Sequence, residues 1–263
     1  MLRYNMNIPD FPQLSNADRK FIRSLHTRKG RDEAGCFLAE GRKLCQELLE
    51  STFRTAAIIL DNAADRNEQL IASEFERCGV PVFALGGREF EAICDAKTPQ
   101  GIVGVAEYPK SKSEAVSETL IILDGVADPG NMGTIIRAAD WFGFRSILLG
   151  KNCADRFSPK VVRAAMGSIF RCNIIDTPDI ATAITQDFPR FSFFCATLDG
   201  SVALEQCRPK KQFGVIFGNE SHGISPEILA VASQTFFIPG DGAESLNVSV
   251  AAGIALYHFS RCR

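Results

Sequence analysis

The sequence predicts an α/β protein built as two successive blocks. Short apolar runs alternate with helical segments along nearly the whole chain, the pattern of sheets with helices on their faces. A stretch rich in Pro, Lys, Ser and Glu divides this alternation in two. With 263 residues the chain is too long for one small core and long enough for two. The expected division is a domain over 1–108, a linker over 109–118 and a second domain over 119–263.

In the first block, a helix is expected from Asn16 to Thr27, capped by Ser15 or Asn16. Cys36 to Ala39 reads as a short strand leading into a helix from about Glu40 to Glu50. Thr55 to Leu60 reads as a buried strand, Ala64 to Cys78 as a helix, and Val80 to Leu85 as a strand. A short helix over Gly86 to Cys94 and a strand over Gly101 to Glu107 complete the block.

The second block alternates more cleanly. Strands are expected at Leu120 to Asp124, Ser146 to Leu149, Arg171 to Ile175, Phe191 to Ala196, Phe213 to Phe217 and Thr235 to Ile238. The continuous apolar runs among them suit parallel strands covered on both faces. Helices are expected at Asn131 to Phe142, Ser158 to Gly167, Asp179 to Asp187, Pro226 to Ala232 and Leu246 to Ser260. Pro159 falls in a first turn, where a missing N–H costs little.

Composition excludes several classes of function. Apolar residues make up 46% and charged residues 23%, the balance of a soluble globular protein. No apolar run approaches the roughly 20 residues needed to span a bilayer, and Met1 to Pro12 has no apolar core of the kind a secretory signal needs. The nine cysteines contain no C-x-x-C pair, which suits free thiols in a reducing cytoplasm. His26, His222 and His258 lie near no cysteine pair, so no metal site is expected. The formal net charge of −2 argues against indiscriminate nucleic-acid binding. Its distribution is uneven, however. Arg19, Lys20, Arg23, Arg28, Lys29 and Arg31 occur with no acidic residue between them, and Arg42 and Lys43 follow. On charge alone this is a solvated face or a phosphate-tracking patch.

Three segments of the second block follow strand ends, where ligands gather in open α/β sheets. They are D-G-V-A-D-P-G-N-M-G-T-I-I-R (Asp124 to Arg137), F-G-N-E-S-H-G-I (Phe217 to Ile224) and I-P-G-D-G-A-E-S-L-N-V-S-V-A (Ile238 to Ala251). The glycines match neither a dinucleotide fingerprint nor a P-loop. From spacing alone, Asn131 is equally a helix cap or a site residue, and so is Ser245. Glu220 is a site carboxylate, a partner for an arginine, or a cap for the helix after Ser225. Gly218 would let a ligand approach the backbone. Gly240 and Gly242 read as a mobile turn. Asn247, at the start of an otherwise apolar helix, is harder to explain by packing.

Taken together and in order, N-x-G-x-x-x-R, G-N-E-x-x-G and I-P…E-S-L-N-V-S-V-A resemble the three motifs of the SpoU/TrmH family of RNA ribose 2′-O-methyltransferases, within the SPOUT superfamily. The fragments F-L-A-E-G-R (Phe37 to Arg42) and T-P-Q-G-I-V-G-V (Thr98 to Val105) are similar to the substrate-binding domain found ahead of many members, which itself resembles a small ribosomal protein. The resemblance implies a C-terminal α/β knot, a deep trefoil that patterning does not reveal, in a largely parallel sheet. It implies S-adenosylmethionine held by Gly218, Ile238 and Leu246, with Thr197 and Leu198 as further contacts, and no metal. It implies chemistry at Arg137, with Asn131, Glu220, Ser245 and Asn247 holding the site.

The same resemblance implies an RNA substrate, rRNA ahead of tRNA, bound with help from Arg19, Lys20, Arg23, Arg28, Lys29, Arg31 and Arg42. It further implies a homodimer packed through the helix after Asn131 and the closing helix, with Val248, Ala251, Ala252, Ala255 and Leu256 as the candidate face. Because a guanidinium stays protonated well above neutral pH, Arg137 is read first as an electrostatic group, with literal proton abstraction requiring a dry site and a partner such as Ser245. The competing reading from another class is a non-catalytic RNA-binding or ribosome-assembly protein that keeps the fold. It predicts the loss of Asn131, Arg137 or Glu220, and all three are present. Base methylation and a thiol enzyme are weaker alternatives.

Overall fold

A computed structural model describes residues 11–109, 118–241 and 244–262. The expected linker over 109–118 and the glycine at 242 lie almost wholly or wholly outside them. The chain divides into two units, Met1–Ser111 with Phe157–Arg163, and Lys112–Arg156 with Ala164–Arg263.

In the first unit, Ser15 accepts from the Asp18 amide and starts α1 (Asn16–Ser24). The single helix expected to Thr27 breaks there, because the Thr27 hydroxyl accepts from the Gly30 amide at 3.1 Å and caps a second helix, α2 (Arg28–Ala34). The two helices touch backbone to backbone: a Cβ at Gly30 would lie 2.1 Å from the Ser24 carbonyl oxygen. Next come β1 (Cys36–Glu40), α3 (Arg42–Leu49), β2 (Thr55–Asp61), α4 (Arg66–Arg77), β3 (Val82–Leu85), the single turn α5 (Arg88–Glu91) and β4 (Ile102–Glu107). The strands form one sheet in the order β1-β4-β2-β3, antiparallel except for β2 with β3. Helices α1 and α2 pack over a core of Leu14, Ile22, Leu25, Leu38, Ile59, Leu85 and Phe90.

Helix α4 opens on a reciprocal cap. Asp65 accepts from the amides of Asn67 and Glu68, and Glu68 accepts from the amide of Asp65 at 2.8 Å. The Glu68 amide, with Arg42 adding to it, holds the Asp65 carboxyl below the usual range. Arg42 bridges both carboxylates, at 2.6 Å and 3.1 Å, and so neutralises the buried Glu68.

The rest of the chain runs β5 (Thr119–Leu123), α6 (Pro129–Trp141), β6 (Ser146–Leu149), α7 (Pro159–Ala165, whose residues as far as Arg163 belong to the first unit), a 3-10 turn over Met166–Phe170, β7 (Asn173–Asp176), α8 (Ile180–Gln186), β8 (Ser192–Ala196), the two-residue strand β9 (Val202–Ala203), a 3-10 turn over Leu204–Gln206, β10 (Phe213–Phe217), α9 (Pro226–Val231), β11 (Gln234–Phe237) and α10 (Val248–Ser260). One sheet holds the strands in the order β7-β6-β5-β10-β8-β11-β9, and each neighbouring pair is parallel. The chain builds outward from β5 through β6 to β7, then returns to the other side, where β10 slots between β5 and β8. Strands β5, β6 and β10 are buried along their whole length, as the apolar runs require. Strand β9 and the 3-10 turns were not foreseen, since two or three residues carry no periodicity.

The closing helix corrects an expectation. Val248, Ala252, Ala255 and Leu256 are buried within their own unit, with Phe259, so this face belongs to the core. The apolar residues left in solvent lie on the other side of the helix: Val250, Ile254 and Tyr257, spaced i, i+4, i+7. Among the described residues, no helix is long and apolar enough to cross a membrane.

Candidate functional site

The parallel sheet aims the carboxyl ends of β5, β10, β8 and β11 at one edge, in that spatial order. Asp124, Gly218, Thr197 and Ile238 directly follow these four strands. With neighbouring strands about 4.8 Å apart, the predicted cofactor contacts Gly218, Thr197 and Ile238 fall on consecutive strands of one lip.

The first motif leaves β5 through Asp124. Asp128 caps α6 by accepting from the Asn131 amide at 2.8 Å. Asn131 is therefore a first-turn residue, and its side chain is free for other work. It is used on both sides. Its Nδ2 donates to Glu220 Oε1 at 2.7 Å, and its Oδ1 accepts from Asn247 Nδ2 at 3.0 Å. One amide thus joins all three motifs, which are separated by 89 and 116 residues. Glu220 serves neither of the two structural roles open to it in sequence: it accepts from Asn131, while α9 begins at Ser225 without a side-chain cap.

Asn247, not Ser245, caps α10. Its Oδ1 accepts from the Ser249 amide at 2.9 Å and hydroxyl at 2.6 Å, leaving Nδ2 for Asn131. Ser245 and Leu246 are exposed just ahead of this cap. Arg137 lies six residues beyond Asn131, about 9 Å along the helix, and is exposed. Among the described residues, no hydrogen bond or ion pair joins it to Glu220 or Ser245.

Packing by itself already requires glycine at position 218. A Cβ there would lie 2.3–2.6 Å from the backbone of Gly223 and Ile224, because the loop after β10 folds back on its own start. That loop is a closed turn. Asn219 and Gly223 exchange both backbone hydrogen bonds at 2.9 Å, and Asn219 Nδ2 donates to the Gly125 carbonyl at 2.8 Å. Asp124 Oδ2 accepts from the Ser225 amide at 2.7 Å and holds the far end. Sequence reasoning passed over Asn219 and Asp124. The signal was present in both, as polar residues within two positions of the end of an apolar strand.

The lip suits an adenosyl ligand. The Thr197 hydroxyl is buried with no hydrogen-bond partner among the described residues, an orphan a ligand can satisfy. Leu198 and Leu246 are 72% and 48% exposed, apolar surface left open beside it. Thiol chemistry is disfavoured. Burial pushes the thiols of Cys172 and Cys195 up to about 12 and that of Cys207 up to about 11. Among the described residues, no group of three or more His, Cys, Asp and Glu is arranged to hold a metal.

The basic stretch divides on inspection. Lys20, Arg23, Arg28 and Lys29 are exposed, the last two in loose pairs with Asp32 and Glu33. Arg31 is 3% exposed and donates to the Leu25 carbonyl at 2.7 Å, so it supports the α1–α2 corner and offers no charge to a ligand. Arg19 pairs with Glu89 and the Leu14 carbonyl, and Arg42 is held in the α4 cap. Arg31 is a correction to the predicted RNA-binding set, and Arg19 and Arg42 are already engaged by carboxylates of their own unit.

The family comparisons agree with this geometry. The profile of the SpoU rRNA Methylase family matches residues 118–257, and that of the MRM3-like substrate binding domain matches residues 16–104. The 23S rRNA (guanosine(2553)-2′-O)-methyltransferase RlmP of Bacillus subtilis is 32% identical over 92% of this chain and 96% of its own. Human mitochondrial rRNA methyltransferase 3 is 26% identical over 99% of this chain and 74% of its own. The crystal structure of an AdoMet-bound rRNA methyltransferase from Sinorhizobium meliloti superposes with a TM-score of 0.84 at 31% identity, covering 95% of this chain and 96% of that one. The shared architecture is the two-domain α/β fold whose C-terminal domain forms an α/β knot. Motifs, fold and profile agree, and the chain belongs to the SpoU rRNA methylase family.

Proposed function

We propose that this chain transfers a methyl group from S-adenosylmethionine to a ribose 2′-hydroxyl of RNA, with rRNA as the substrate class. The observation that carries the reading is the hydrogen-bonded series Asn247–Asn131–Glu220, which gathers the three family motifs at one end of the sheet. The relatives that act on rRNA extend it to the substrate.

Gly218, Ile238 and Leu246 hold the adenosyl group, with Thr197 and Leu198 beside it. When bound, S-adenosylmethionine supplies a methyl group on a positively charged sulfur that leaves as a neutral thioether, so the donor carries its own activation. Asn131, fixed from both sides, and Glu220 keep the approach to Arg137 in shape. Arg137 binds the phosphate beside the target ribose and stabilises charge developing on the 2′ oxygen. Ser245 and Asn247 close the pocket ahead of α10. Residues 1–108 form the RNA-binding domain and 119–263 the catalytic domain. Nine free cysteines suit a reducing cytoplasm.

The direct test is transfer of labelled methyl from S-adenosylmethionine to rRNA transcripts without added metal. The expected product is an alkali-resistant linkage at a single nucleotide. RNA binding without any methyl transfer would instead favour the non-catalytic reading.

The exposed cations predict a second outcome. Changing Lys20, Arg23, Arg28 and Lys29 together to Gln should weaken RNA binding. It should also flatten the slope of log affinity against log salt by about 3, since each phosphate contact contributes roughly 0.7–0.9. Calorimetric affinity for S-adenosylmethionine should stay unchanged. An unaltered salt slope would return the stretch to a solvated face.

The chain is proposed to work as a homodimer through a face different from the one the sequence suggested. Trp141 at the end of α6 is 84% exposed, and on α10 Tyr257 is 59%, Val250 50% and Ile254 40% exposed. The Phe142 and Tyr257 rings lie 6.0 Å apart, which links the two helices into one apolar patch. A patch of this kind on a two-fold axis is self-complementary. Ile254→Glu with Tyr257→Glu should halve the mass seen in sedimentation and leave the monomer folded. A wild-type chain that sediments as a monomer at assay concentrations would contradict this.

A further inference from the structure

We infer that His222 takes the proton from the ribose 2′-hydroxyl. The inference rests on ribose methylation as the reaction. It starts from a gap in the chemistry: Arg137 carries charge, and a guanidinium is a poor proton acceptor near neutral pH.

The orientation of the imidazole follows from its neighbours. Asn219 Nδ2 donates to the Gly125 carbonyl at 2.8 Å, which fixes which end of that amide is oxygen. Asn219 Oδ1 then accepts from the amides of Ser221 at 2.8 Å and His222 at 3.2 Å. His222 Nδ1 lies 3.3 Å from the same oxygen. An amide oxygen has no hydrogen to give, so the neutral imidazole carries its proton on Nδ1. Nε2 is left as a bare acceptor on an exposed side chain.

The placement fits as well. His222 sits on the closed Asn219–Gly223 turn, two residues after Glu220, which bonds Asn131. The charged groups tied to this turn are Glu220 on the turn itself and Asp124 at the end of β5, which holds its far end; Asp128 and Arg137 lie on α6, which Asn131 joins to Glu220, and the backbone of Lys151 runs beside Gly125.

The step balances. The 2′ oxygen bonds to the methyl carbon, and the carbon–sulfur bond breaks with its electron pair left on sulfur. The hydroxyl proton moves to His222 Nε2. One positive charge is present before, on the sulfonium, and one after, on the imidazolium, which returns its proton to solvent.

The experiment is single-turnover methyl transfer to an rRNA transcript at saturating S-adenosylmethionine, from pH 5.5 to 9, for the wild type, His222→Asn and His222→Ala. Asparagine keeps a donor toward Asn219 but has no basic nitrogen. The wild-type rate should rise from the acid end of this pH range, as a general base requires. His222→Asn should lose that rise and fall about 100-fold or more, with RNA and S-adenosylmethionine affinities within about twofold of the wild type. Added imidazole should restore part of the rate of His222→Ala. An active wild type whose pH profile survives in His222→Asn, or a loss confined to RNA affinity, overturns the inference alone. A wild type that transfers no methyl group overturns the parent reading and this one with it.

Discussion

The side-chain amide of Asn131 is the interaction on which the site depends. A parallel sheet delivers the ends of β5 and β10 side by side, but it does not by itself bind the loops that leave them, nor the start of a helix more than a hundred residues downstream. Asn131 does so by donating to Glu220 and accepting from Asn247. Few side chains offer both a donor and an acceptor on one short, rigid group. An aspartate would set a second carboxylate against Glu220, and a leucine would leave both neighbours unpaired.

Two helix caps make this possible. Asp128 satisfies the first turn of α6, so Asn131 is not spent as a cap. Asn247 divides its own amide, using the oxygen on the first turn of α10 and the nitrogen on Asn131. Each helix therefore starts at the candidate site with its first turn capped by a side chain from the motif that opens it. Arg137 is exposed on α6, about 9 Å along the helix beyond the bridge.

Much of this was legible in the sequence, for physical reasons that differ by element. Strands such as Phe213–Phe217 are continuous apolar runs and could be placed directly. The three motifs drew attention to Asn131, Glu220 and Asn247, which the structure brings together, because polar groups after buried strands have no packing reason to be there. The roles within the motifs were not legible. Asn131 and Ser245 were each balanced between cap and site, and only coordinates show Asp128 and Asn247 taking the caps. Arg31 looked like its neighbours in a basic run, yet the corner between α1 and α2 buries it, and a charge count does not register a helix break. The faces of α10 were exchanged for a similar reason. The helix is apolar nearly all round, so its pattern does not say which side meets its own core.

The central claim is that Arg137 acts on the transition state while the Asn131 bridge holds the fold of the site without it. Single-turnover methyl transfer by Arg137→Ala, measured beside its thermal melt and its affinity for S-adenosylmethionine, tests this most directly. The account predicts a rate about 100- to 1,000-fold below wild type, with melting temperature and cofactor affinity unchanged, because among the described residues no ion pair is broken by the substitution. Near-normal turnover, or a loss that follows the melting temperature alone, would contradict it.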